Sequence, residues 1–168
     1  MEIKDLLKKD LMIMDLKATT KMEAIDEMVA KLKEKNIISD EAAFKNLILK
    51  REEKSSTGLG EGVAMPHAKT SVVNTPAVLF ARSNKGINYD ALDGEPVYIF
   101  FMIAASEDAH DLHIDTLAKL SKMLLNDDFT QGLKTCGTPD EVYTLIDKYS
   151  EKSQEAIKKE AKEVQNTN

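Results

Sequence analysis

The chain has 168 residues, 42% hydrophobic and 31% charged, which suits one domain with its own core and leaves too little for two. Its net charge of −6 argues against a nucleic-acid partner, which would want a basic face. No apolar run approaches the roughly 20 residues a membrane span needs, residues 1–18 show no leader pattern, and the single cysteine, Cys136, excludes an internal disulfide framework and fits a reducing, cytoplasmic setting.

In chain order, Leu11-Met12-Ile13-Met14 reads as a short buried strand. Thr20-Lys21-Met22-Glu23 has the spacing of a capping box, and Ala24, Ile25, Met28, Val29 and Leu32 then recur at helical spacing to about Asn36. Ser39 and Asp40 offer the next N-cap, for a second helix striped by Ala43, Phe44, Leu47 and Ile48 and ending near Arg51 or Glu52. A glycine-rich loop follows. Residues 76–81 read as a strand with Pro76 at its start, and Asn84-Lys85-Gly86 and Asp93-Gly94-Glu95-Pro96 as turns. Val97 to Ile103 is continuously hydrophobic, as an interior strand buried on both faces should be. Helices are expected over 109–125, 127–133 and from Thr138-Pro139 onward, the last taking proline in its first turn. Residues 1–150 then form the domain, and 151–168 a polar tail or helix extension. Interleaved strands and helices place the chain in the α/β class, as a three-layer α/β/α sandwich with a central sheet flanked on both faces.

The chemistry centres on "STGLGEGVAMPHA", residues 56–68, where three of the seven glycines precede a histidine held behind a proline. Pro66 fixes its own φ and biases Met65 towards extended backbone, so the imidazole of His67 follows a stiff dipeptide. Gly58, Gly60 and Gly62 allow positive φ and close approach of backbone N–H groups. With the Thr57 hydroxyl they resemble a nest for an anion such as a phosphoryl group. The spacing matches neither G-x-G-x-x-G nor a P-loop. From the residues alone, an ordinary loop with a satisfied histidine is the plainer reading. His110 and His113, three apart at a helix start, fit a carbonyl-bonded histidine better than a zinc site shared with His67, because no catalytic Glu stands at the usual spacing. Arg51 suits the C-terminal end of its helix on dipole grounds alone. It also stands just before the glycine loop, where its fork of donors could meet a phosphate. Nothing near Cys136 activates it.

Together, "KREEKSSTGLGEGVAMPHA", "GINYDALDGEPVYIFFMIAA" and "HIDTLAKLSKMLLNDD" resemble, in order and over roughly residues 5–148, the IIA components of the fructose–mannitol class of the bacterial phosphotransferase system. The nitrogen-regulatory IIA branch is similar too. The resemblance implies a mixed sheet with helices on both sides. It implies that His67 accepts a phosphoryl group on Nε2 from phospho-HPr and passes it to a cysteine of a IIB unit, in company with a membrane IIC component. His113 matches the second active-site histidine, Arg51 an arginine near the site, and Thr57 and Gly58 the phosphoryl-binding loop. No metal or other cofactor is implied. Fructose is the favoured sugar, and the alternative is a regulatory protein whose partners read its phosphorylation state. Two positions depart from the pattern. Ala68 stands where the family often has Gly, which is expected to narrow the approach to the ring, and Ser106 where it often has Pro.

Overall fold

A computed structural model gives the fold; it describes the backbone of residues 2–108 and 110–166, and the side chains of 2–108, 114–150 and 159–163. The apolar run near the middle of the chain forms the strand β6, Val97–Ala105, buried at every position but Tyr98. Its length exceeds the expected run by two alanines. Along one edge it pairs antiparallel with β5, Ala77–Ile87, and beyond β5 lies the two-residue β1, Met12–Ile13, in parallel register. The other edge carries two short strands end to end, both parallel to β6. These are β3, Val63–Ala64, opposite Ile99 and Phe100, and β4, His67–Lys69, opposite Ile103 to Ala105. The strand β2, Gly58–Gly60, closes the edge antiparallel to β3. The sheet is therefore mixed and six-stranded.

Two expectations are corrected here. The glycine-rich stretch is not a free loop: β3 and β4 form from it because the long central strand offers unpaired backbone groups that they satisfy, and β2 then pairs with β3. Asn84-Lys85-Gly86 is not a turn between strands but part of β5, whose register to β6 shifts between Arg82 and Ile87. Gly86 sits there at φ 83, and a Cβ on it would stand 2.9 Å from the Tyr98 ring, so the bulge depends on glycine.

Helices cover both faces. On one face lie α2, Lys21–Glu34, and α3, Glu41–Lys54. The N-cap hydroxyl of Thr20 accepts from the Glu23 amide at 3.2 Å, and the Asp40 carboxylate accepts from the Ala43 amide at 3.0 Å, satisfying first-turn donors that a helix cannot satisfy itself. Asn36, at φ 58, turns the chain out of α2. The stripe Ala24, Ile25, Met28, Val29 and Leu32 is buried against Leu79, Phe100 and Met102. The opposite face holds α1, Ile3–Leu6, α4, His110–Met123, α5, Asp127–Thr135, and α6, Pro139–Asn166, around Phe80, Phe101 and Ile103. Among the described side chains of α6, Ile146 and Tyr149 are the last in that core and residues 159–163 are exposed, while the helix itself runs on through the polar tail to Asn166. No helix among the described residues is long and apolar enough to cross a membrane.

Phe100 is fully buried on β6, edge-on to Tyr89 at 5.5 Å between centroids. Phe100→Ala removes a fully buried ring and leaves a cavity in the core. It should lower the unfolding free energy by about 3–5 kcal/mol, read from the urea midpoint at unchanged slope.

Candidate functional site

His67 opens β4 opposite Ile103 of the central strand. Pro66 accepts from the Ile103 amide at 2.9 Å, so the dipeptide before the histidine is itself part of the sheet. Alternation then decides the face. Ala68 is buried in the α2–α3 cluster, so His67 projects towards the layer that contains α4, the same face as Ile103. The expectation that Ala68 narrows the approach to the ring is corrected by this geometry, since its methyl lies on the other side of the strand.

The ring's tautomer follows from one contact. His67 Nδ1 lies 2.9 Å from the Met65 carbonyl oxygen. A carbonyl can only accept, so Nδ1 carries the proton and the lone pair of the neutral ring resides on Nε2. Burial pushes the imidazole below its usual value of 6.5; the Met65 carbonyl opposes that shift, the Arg51 charge adds to it, and Glu52 opposes it. The ring is half-buried and neutral at pH 7. These properties describe a nucleophile of fixed aim.

Arg51 lies in the last turn of α3, and its guanidinium donates to the Ser55 carbonyl at 2.8 Å, closing the end of its own helix. Thr57 is only 2% exposed. Its amide donates to a Glu52 carboxylate oxygen at 3.1 Å, and its hydroxyl donates to the other oxygen of the same group. Gly58 donates its amide to Ser56 Oγ at 3.0 Å and accepts from the Leu92 amide at 2.9 Å. Both loop amides are thus engaged within the protein. A Cβ on Gly58 would sit 2.9 Å from the Ala91 Cα, so close backbone approach excludes any larger residue there. Gly60, at φ 108, carries the chain through the bulge where β2 and β3 change register.

His113 belongs to the first turn of α4; its side chain, like that of His110, lies outside the described residues. Cys136 is buried, with its thiol pushed up by burial, and so remains a protonated thiol.

Three residues that sequence reasoning left out stand behind this site. Glu52 is 8% exposed and Tyr89 fully buried, and Tyr89 donates its hydroxyl to Glu52 at 2.9 Å. Lys21 reaches the same carboxylate at 2.9 Å, with its Nζ 4.5 Å from the Tyr89 ring centroid. Burial alone would raise the Glu52 carboxyl, yet the bonds from Thr57 and Lys21 bring it below its ordinary value, so it is ionised. Burial and the Glu52 charge push the Tyr89 hydroxyl up, so it stays a donor. The sequence signals were faint: a lysine in a capping box, the residue after Arg51, and a tyrosine before a turn.

The chain belongs to the family described as "Phosphoenolpyruvate-dependent sugar phosphotransferase system, EIIA 2", which its residues 5–149 match. It is 40% identical over 149 residues to a "PTS system fructose-specific EIIABC component" of Bacillus subtilis, covering 89% of this chain and 24% of that protein. It therefore spans about a quarter of that relative. A "Nitrogen regulatory protein" of Bradyrhizobium diazoefficiens is 31% identical over 146 residues, covering 87% of this chain and 95% of the relative. The crystal structure of nitrogen regulatory protein IIA-Ntr from Neisseria meningitidis superposes with a TM-score of 0.80 at 28% identity, over 86% of this chain and 98% of that one. The fold and family expected from the sequence are those found, and the chain is a phosphotransferase-system component.

Because burial dominates the His67 shift, an NMR titration of its ring should show a midpoint below 6.5. The ring is then neutral throughout the pH range above that value. A midpoint above 6.5 would show that the Met65 carbonyl bond and, after it, the Glu52 charge outweigh burial.

Proposed function

We propose that the chain is a phosphoryl carrier of a sugar phosphotransferase system, with His67 as the accepting group. Phospho-HPr is the donor and a cysteine of a IIB unit the acceptor, coupled to a membrane IIC component. The observation that carries this reading is the Nδ1–H bond to the Met65 carbonyl, which leaves the nucleophilic lone pair on Nε2 of a neutral ring.

In the first step Nε2 attacks the phosphorus of the donor's phosphoimidazole. The N–P bond on HPr breaks, and its electron pair returns to the donor ring. No proton leaves His67, because Nδ1–H stays with the Met65 carbonyl and shares the positive charge that develops on the ring. In the second step a IIB thiolate attacks the same phosphorus, and the pair returns to Nε2. Transfer of this kind needs positioning and charge stabilisation rather than a metal. Arg51 supplies a cationic group for the phosphoryl oxygens, His113 helps to hold them, and Thr57 and Gly58, with their amides engaged internally, shape the loop that leads to His67. Leu59, 47% exposed, and Leu92, 68% exposed and joined to Gly58 through its amide, offer apolar contact to a docking protein.

Fructose is the favoured sugar, on the 40% identity to the Bacillus fructose-specific relative. A regulatory role is the second reading, supported by the 31% identity to a nitrogen regulatory protein over nearly its whole length. In that role the same phosphohistidine would govern binding to a protein partner instead of feeding a IIB thiol.

The deciding measurement is intact mass after incubation with phosphoenolpyruvate, enzyme I and HPr. Wild type should gain one acid-labile phosphoryl group and His67→Ala none; a gain by the variant would move the acceptor to another residue. Passage of the label to a fructose-type IIB would favour uptake, and retention until a non-IIB partner binds would favour regulation.

A further inference from the structure

The charges behind the site are placed against the dipoles of their own helices. Lys21 is the first residue of α2, where a cation is disfavoured, and Glu52 lies in the last turn of α3, where an anion is disfavoured. Each is tolerated because it meets the other, at 2.9 Å and largely out of solvent. A simple structural contact in this position could be apolar, at no cost in desolvation. What the carboxylate holds is more informative. Its oxygens accept the amide and the hydroxyl of Thr57 and the hydroxyl of Tyr89. The Thr57 carbonyl in turn accepts from the Met65 amide at 3.0 Å, and the Met65 carbonyl accepts from His67 Nδ1 at 2.9 Å. An unbroken series of contacts therefore runs from the start of α2 to the reactive ring.

We infer that Glu52, held by Lys21 and Tyr89, is a positioning residue that fixes the Thr57–Met65 backbone and through it the tautomer and aim of His67. The carboxylate can perform this task where a neutral side chain cannot, because it is acceptor-only and so dictates the direction of every group around it. Thr57 can only donate towards it, Tyr89 can only donate, and Lys21 neutralises the charge that remains. Gln in the same place keeps the size but turns one acceptor into a donor, which must then face a Tyr or Thr hydroxyl that now has to accept. The loop rotates to accommodate that reversal, and the Met65 carbonyl moves with it. The inference rests on the reading of His67 as the phosphoryl acceptor.

The test uses the full chain as wild type, Glu52→Gln, Tyr89→Phe and the charge-balanced double variant Lys21→Met/Glu52→Gln. Folding is followed by circular dichroism, the His67 tautomer by its ring ¹⁵N shifts, and phosphoryl gain from phospho-HPr by rapid-quench mass measurement. Wild type should show the Nδ1–H form. Glu52→Gln and the double variant should remain folded, show a mixture of tautomers, and accept the phosphoryl group about 10- to 100-fold more slowly, the loss that misplacement of a reacting group brings. Tyr89→Phe should fall between. The double variant leaves no uncompensated buried charge, so it reports positioning even if the single variant unfolds. Folded Glu52 variants that keep the wild-type tautomer and rate would overturn the inference, as would a rate that falls only in step with the folded fraction. If wild type itself takes no phosphoryl group, the functional reading fails, and the ¹⁵N shifts still decide whether Glu52 sets the ring.

Discussion

The placement of the His67 ring depends on the pairing of β6. This strand is buried on both faces and has an antiparallel partner along one edge, so its other edge must find partners for every backbone group or leave them unsatisfied in the core. Two short parallel strands supply them, and between them Pro66 contributes its carbonyl to the Ile103 amide. Proline has no N–H to offer a ladder, yet it stands here without penalty, because its own contact with β6 is made through its carbonyl. The consequence is that His67 has no freedom of register. A slip of one residue would place its imidazole in the α2–α3 core and Ala68 at the site.

A second constraint is electrostatic. Around His67 the protein arranges a neutral, partly desolvated imidazole, a nearby arginine and, one layer further in, an ionised carboxylate with its own lysine. Arg51 and Glu52 are sequence neighbours with opposite orientations. The first closes the end of its helix near the site, and the second turns inward and holds the loop. Their effects on the His67 equilibrium oppose one another, so burial decides the direction of the shift. In the proposed role His67 would benefit from that balance, since the ring stays uncharged while a cation remains close.

Much of the fold was legible because its helices are strongly patterned. The stripe from Ala24 to Leu32, the caps at Thr20 and Asp40, and the continuous apolar run of β6 each follow from local physics, and each stands where the pattern put it. The strands in the glycine-rich stretch were not legible. Two- and three-residue strands carry no periodicity, and what makes them strands is the unpaired edge of a segment over thirty residues away in the chain. The same reason hid the continuation of β5 through Asn84-Lys85-Gly86, where turn-type residues are held in a bulge by the ring of Tyr98. Of the site, His67 was visible through its proline and glycines, and Arg51 through its place before them. Glu52, Lys21 and Tyr89 were not, because each alone is an ordinary surface-type or core-type residue, and only their convergence gives them meaning.

By itself the sequence determined the α/β class, the family, the boundaries of α2 to α5 to within a few residues, and His67 as the candidate for the site. These depend on short-range pattern and on a motif whose spacing survives without coordinates. Tertiary structure alone decided which face of the sheet His67 occupies, which of its nitrogens bears the proton, and which buried carboxylate holds the loop beneath it. Those are properties of contacts between residues distant in the chain, and a hydrogen bond to the Met65 carbonyl or an ion pair between Lys21 and Glu52 exists only once the sheet and both helices are in place.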